Sequence, residues 1–118
     1  MTILARIHQG LAWLTMAGLA LQFYLAGMGM FGASSFEAHR VVGYLVVLLI
    51  LILLLLALIR RGPRRLLAMS ALLAVLVIVQ VLLPSLRSSV PLLAALHPVN
   101  AMALLGVTAT IMRSARLP

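Results

Sequence analysis

Residues 35–65 read "SFEAHRVVGYLVVLLILILLLLALIRRGPRR". Between Arg40 and Arg60 no residue carries a charge, and all but Gly43 and Tyr44 are aliphatic. A bilayer core is about 30 Å thick, and a helix rises about 1.5 Å per residue, so roughly 20 apolar residues cross it. This run meets that length. The arginines at both ends place charge where an apolar segment leaves the hydrocarbon. The stretch therefore predicts a transmembrane helix from about 36 to 59, with Ser34 or Ser35 supplying a cap at its start.

Three further segments of the same kind flank it. One runs from about 7 to 31, one from about 66 to 83, and one from about 90 to 112, the last with Pro91 near its start and Pro98 inside it. "GMGMFGASS", "RRGPRR" and "PSLRSSVP" separate the four. Short connections make consecutive helices antiparallel. The expected fold is thus all-α, an integral membrane antiparallel four-helix up-down bundle forming one domain over residues 1–118. In a square layout helices 2 and 4 run the same way and lie diagonally across the core. Pro98 is expected to kink helix 4 or to begin it afresh, because proline has no N–H and disfavours helix before it. No internal repeat stands out, and the Leu-rich second helix is the one compositional bias. The apolar run after Arg6 is too long for the 7–15-residue core of a signal peptide, so it reads as a retained helix.

Composition agrees. The 118 residues are 65% hydrophobic and 8% charged, with a mean hydropathy of +1.27, whereas soluble domains carry about 25% charged residues. Nine arginines against one glutamate give a net charge of +8. Nucleic-acid binding would need those charges in one patch on a soluble domain; here they punctuate apolar segments, and no nucleic-acid partner is expected. The absence of cysteine excludes disulfides, thiolate metal sites and covalent haem attachment. Arg6, Arg60, Arg61, Arg64, Arg65, Arg113 and Arg116 fall on one side of the membrane, and Arg40 and Arg87 on the other. That imbalance puts both termini in the cytoplasm of a bacterial inner (plasma) membrane.

Polar residues inside a spanning bundle are rare and mark function. Helix 1 has His8, Gln9 and Gln22, helix 2 has Glu37 and His39, helix 3 has Gln80, and helix 4 has His97 and Asn100. His39 lies roughly 5 Å, and His97 roughly 10 Å, below the outer ends of their helices. Two imidazoles on diagonal helices at similar depth are the usual axial pair for a haem iron in a bundle core. Gly43 and Ala101, each four residues after a histidine, leave room for a flat macrocycle. Arg40 and Arg87 are placed to meet haem propionates. Gln22, Gln80 and Asn100 are candidates to hold the imidazole N–H groups, and the two glutamines also suit hydrogen bonding between helices. One noncovalent haem b is the expected cofactor. His8 is expected at the cytoplasmic interface beside Arg6, and a second haem there would need Met69 or Met112 as its partner ligand. Glu37 in the first turn of helix 2 complements the positive end of the helix dipole.

These residues carry a family resemblance. "FEAHRVVGY" resembles the second-helix motif of the haem A synthase family, and "IVQVLLPSLRSSVPLLAALHPVNAMALL" resembles the same family's third helix, outer loop and fourth helix. The likeness covers about half the chain. It implies that His39 and His97 match haem-ligating histidines and that Glu37 matches an acidic position. The chain differs in being one four-helix half, in having the acid two rather than three residues before the histidine, and in lacking a cysteine pair in the outer loop. The bundle is also similar to b-type membrane cytochromes, and the whole chain to small four-helix bacterial membrane proteins.

The functional expectation is a haem-binding membrane protein engaged in electron transfer or haem handling, with the bilayer around it and a quinone or a redox protein as partner. The alternative is a cofactor-free structural or accessory subunit of a homo-oligomer or larger membrane complex, for which the apolar face of helix 2 is equally suited. A transporter or channel is disfavoured, because no charge lies at the midplane.

Overall fold

The computed structural model describes residues 2–114, and among them every regular element is helical. α1 is Ile3–Met30, α2 Glu37–Arg60, α3 Arg64–Leu82, α4 the single turn Pro91–Ala94, and α5 His97–Ser114; a 3₁₀ turn, Leu83–Leu86, extends α3. Four segments, Ile3–Met30, Glu37–Arg60, Arg64–Leu86 and Pro91–Ser114, are long and apolar enough to cross a bilayer. The chain is a four-helix bundle of a multi-pass membrane protein.

Local chemistry sets each boundary. Thr2 caps α1, its hydroxyl accepting from the Ala5 N–H at 3.2 Å. Gly32, at φ +73, turns the chain out of α1, and the Ala33 N–H closes back on the Met28 carbonyl at 2.9 Å. The Ser35 hydroxyl accepts from the Glu37 N–H at 3.3 Å, one position before the formal cap at Phe36. Glu37 pairs with Arg40 across one exposed turn. α2 stops where Arg61 enters the left-handed region at φ 46. Pro84 cannot donate a hydrogen bond, so α3 tightens into its 3₁₀ turn there.

The expected helix over 90–112 is two pieces. Pro91 opens a single turn, the chain bends at Ala95 and Leu96, and a new helix starts at His97 with Pro98 in its first turn, where no N–H is needed. This is the fresh start that Pro98 predicts. The Asn100 N–H then bonds the Leu96 carbonyl at 2.8 Å.

Around the bundle α1 packs on α2, α2 on α3, α3 on α5 and α5 on α1, which leaves α2 and α5 on one diagonal. The inward stripe of α1 is Ala5, His8, Ala12, Thr15 and Leu19, at the three- and four-residue spacing of one helix face. That stripe sharpens the placement of His8: near the start of α1 its ring turns into the bundle and is fully buried.

The burial pattern corrects one expectation. His8, Ala12, Thr15 and Leu19 in α1 are matched in α3 by Leu66, Ser70, Leu73 and Val77. Val46, Ile50 and Leu53 in α2 are matched in α5 by Leu104, Thr108 and Ile111. Each residue lies 58 positions after its counterpart. An internal repeat is therefore present: hairpin α1–α2 and hairpin α3–α5 are two copies of one unit. Equivalent helices run parallel, so the copies are related by a pseudo-two-fold axis along the bundle. The repeat is carried mainly by burial, and among the cavity-lining pairs residue identity is kept at Gln22 with Gln80 and His39 with His97.

Candidate functional site

A cavity of about 310 Å³ opens between the helices near the end that carries the 31–36 and 83–96 connections. This is the lower end of the range for small-molecule sites, roughly 300–1,000 Å³. Its walls follow the repeat. Gln22 and Gln80, His39 and His97, Gly43 and Ala101, Leu19 and Val77, Phe23 and Val81, Ala26 and Pro84, Arg40 and Pro98, and Val46 and Leu104 all line it in pairs 58 apart. Only Tyr44 and Val47 line it without their counterparts. The cavity thus sits on the pseudo-two-fold axis, at the interface between repeats, where membrane proteins built this way hold their ligands.

The two imidazoles meet edge-on across this space, with ring centroids 6.2 Å apart and planes at 65°. Each is anchored by the helix before it. His39 Nδ1 lies 3.2 Å from the Gln22 carbonyl, and His97 Nδ1 lies 3.0 Å from the Gln80 carbonyl, both over a sequence separation of 17. A carbonyl only accepts, so Nδ1 carries the proton in both rings. In the neutral form that leaves the Nε2 lone pair free, the state in which imidazole binds metal.

The glutamines were expected to hold the imidazole N–H groups. The residues are the expected ones, but the atoms are backbone carbonyls. The Gln80 side chain has a different task. Its Nε2 lies 3.2 Å from His97 Nε2, so the amide donates to the lone pair, while its Oε1 accepts from Asn100 Nδ2 at 2.7 Å. Asn100 also donates to the Leu76 carbonyl at 2.9 Å. Asn100 therefore braces Gln80 rather than an imidazole, and it stands behind the cavity wall. Gln22 Oε1 is buried and has no hydrogen-bond partner.

Gly43 lines the cavity and also makes room for a neighbour. A Cβ there would fall 2.8 Å from Gln22 Nε2, so the missing side chain makes room for the glutamine amide. Arg40 lines the cavity and pairs with Glu37 at its rim. Arg87 is exposed on the loop after the 3₁₀ turn and is not a lining residue. His8, fourteen positions before Gln22, is roughly 20 Å away along α1.

Sequence reasoning missed Phe36 and Gly29. The Phe36 ring meets His39 edge-on at 6.2 Å and 86°, and it lies against Gly29, where a Cβ would come within 2.8 Å of the ring. The 17-residue Gln-to-His spacing, present in both hairpins, was the signal in the letters for the paired anchors.

Among the described residues no three His, Cys, Asp or Glu side chains gather as a metal site. A bare ion would thus find two protein donors here. Haem brings four nitrogens of its own and needs two from the protein. Metal–imidazole bonds of about 2.0–2.1 Å, added to the depth of two facing rings, separate the centroids by roughly 6 Å. The number of donors and the 6.2 Å separation suit that group once the Gln80 amide leaves His97 Nε2.

The fold and site define a multi-pass helical membrane protein with a paired-histidine cavity at its repeat interface. The chain belongs to a family of unknown function, DUF6220, whose model matches residues 22–86. The match includes Gln22, His39, Gly43 and Gln80 and ends before His97. No curated protein and no solved structure matches the chain.

Proposed function

We propose that this protein is a b-type haem protein of the membrane, with His39 and His97 as the two axial ligands of one haem. The observation that carries the reading is the imidazole pair itself: two rings with centroids 6.2 Å apart, each anchored through Nδ1, with only the movable Gln80 amide on His97 Nε2. A haem held this way supplies reversible one-electron transfer. The chain's residues orient and tune it. The Gln22 and Gln80 carbonyls fix the ring tautomers and raise ligand basicity. The Gln80 amide now occupies the lone pair that iron would take, and it must swing aside. Arg40 stands at the cavity rim, where it can meet a propionate in place of Glu37.

The arginine asymmetry supports an orientation with the site on the outer side of a bacterial inner membrane and both termini in the cytoplasm. The cavity wall includes Tyr44 and Val81, both exposed on the outer faces of α2 and α3. That suits exchange with a membrane quinone or a redox partner. The accessory-subunit reading rests on the large exposed apolar faces. Lipid alone satisfies those faces, whereas it leaves the paired imidazoles without a role.

The test is a visible spectrum of protein purified from membranes, oxidised and dithionite-reduced. The expected result is a sharp low-spin b-type spectrum with one haem per chain. His39→Ala and His97→Ala should each lose it while keeping wild-type helix content by circular dichroism. A wild-type protein that is colourless and takes up no added haemin rejects the proposal.

A further inference from the structure

Arg60 differs from its neighbours at the α2–α3 turn. Arg61, Arg64 and Arg65 are exposed, whereas Arg60 is half-buried, and its Nη1 is shielded from solvent with no hydrogen-bond partner among the described residues. Its side chain folds back over the turn: a Cβ on Gly62 would lie 3.8 Å from Arg60 Nε and 3.7 Å from Leu66 Cδ2. The guanidinium is thereby held against the start of α3. Guanidinium always carries its charge, and a buried donor without an acceptor costs free energy. The chain has no carboxylate side chain to offer, because its only acid, Glu37, pairs with Arg40 at the far end. The start of α3 enlarges the deficit. Its first turn holds Arg64 and Arg65 and no acid, so two more cations stand at the positive end of a helix dipole. The rule that collects arginine at one end of a membrane protein asks for exposed charge, not for a shielded and unpaired one.

We propose that the α2–α3 turn holds one anionic phospholipid of the bilayer, its phosphate on the Arg60 guanidinium and flanked by Arg64 and Arg65. A phosphodiester matches the guanidinium fork with two parallel N–H···O bonds and supplies the acceptor that Nη1 lacks. Leu58 and Ile59, the two residues before Arg60, are exposed on the last turn of a spanning helix. The acyl chains below the phosphate lie against them, and this second contact selects a lipid over free phosphate. The site is at the opposite end of the bundle from the histidine cavity and is independent of the haem reading.

The test titrates the purified full chain, in a zwitterionic detergent, with phosphatidylglycerol and counts bound lipid by native mass spectrometry. The wild type should take up one molecule per chain ahead of any others, and should prefer it to phosphatidylcholine by about tenfold or more. Charge alone contributes about fivefold per arginine near an anionic surface, and lysine contributes it equally. Arg60→Lys keeps the charge and loses the fork, so it should weaken the first binding step several-fold, and Arg60→Gln should weaken it by about tenfold or more. Arg113→Lys, at the end of α5, should leave that step unchanged. An Arg60→Lys protein that binds like the wild type overturns the inference, and so does an Arg60→Gln loss no larger than that of Arg113→Gln: either result means diffuse attraction with no site. Excess inorganic phosphate should leave the lipid bound; displacement would assign a free-anion site and overturn the choice of a lipid. Circular dichroism checks that each variant keeps wild-type helix content. If one does not, the wild-type comparisons with phosphatidylcholine and inorganic phosphate still decide, and equal uptake of the two lipids overturns the inference.

Discussion

Gly18 and Gly43 both sit where a Cβ would come within 2.8 Å of a neighbour, yet the neighbours differ. At Gly18 the obstacle is Val46 Cγ2, on a core residue only 3% exposed. A β-branched side chain has one comfortable rotamer in a helix and cannot step aside. Overpacking of this kind costs about 1–3 kcal/mol, and the gain in helix propensity from glycine to alanine returns about 1 kcal/mol. At Gly43 the obstacle is the far end of the Gln22 side chain, which can rotate. Gly18→Ala should therefore lose roughly 1 kcal/mol in a detergent unfolding titration, whereas Gly43→Ala should be neutral or slightly more stable. The same reasoning separates packing from function at Gly43. Its alanine variant displaces the Gln22 amide, so a change in ligand uptake with no loss of stability would mark the glycine as part of the site.

At the scale of the element, the turn between α2 and α3 shows how charge and geometry compete. Arg61 adopts φ 46, a conformation that costs an L-residue about 1–2 kcal/mol and glycine almost nothing. Glycine gives back part of that gain through the extra freedom of its unfolded chain. Arg61→Gly should therefore stabilise the bundle by roughly 0.5–1 kcal/mol in the same titration; a loss of stability would mean that the guanidinium holds the turn by a contact of its own. The ends of α2 and α3 were legible within two residues because Arg, Gly, Pro and Ser mark them. The inward face of α1 was harder to read. Its stripe is Ala5, His8, Ala12, Thr15 and Leu19, small or polar apart from the leucine, against larger apolar residues on the lipid side. In a membrane the outward face is as apolar as the core, so the contrast that orients a soluble amphipathic helix disappears. That loss of contrast hides the inward turn of His8.

On the scale of the whole molecule the repeat explains both what the letters reveal and what they hide. Gln22, His39, Arg40, Gly43, Gln80 and His97 stand out because polar or side-chain-free positions are scarce in such a chain, and all six line one cavity. The two-fold relation does not stand out, because His8 is matched by Leu66 and Ile50 by Thr108. Burial is kept throughout and chemistry only at the Gln and His pairs, and the divergence at Val42 and Asn100 makes the two walls inequivalent. Charge is just as unevenly spread. The end that carries the α2–α3 turn holds Arg6, Arg60, Arg61, Arg64, Arg65 and Arg113, against Arg40 and Arg87 at the other, where the only acid already pairs with Arg40. The rule that positive loops stay in the cytoplasm predicts a cavity end that faces outward. The chain has no cysteine, so single cysteines report topology without a background. In intact cells a membrane-impermeant maleimide should label Ser34→Cys and Ser88→Cys, both at exposed loop positions. Gly62→Cys should react only after the membrane is broken. The reverse pattern would put the histidine cavity on the cytoplasmic side and would assign its electron or ligand partner to that compartment.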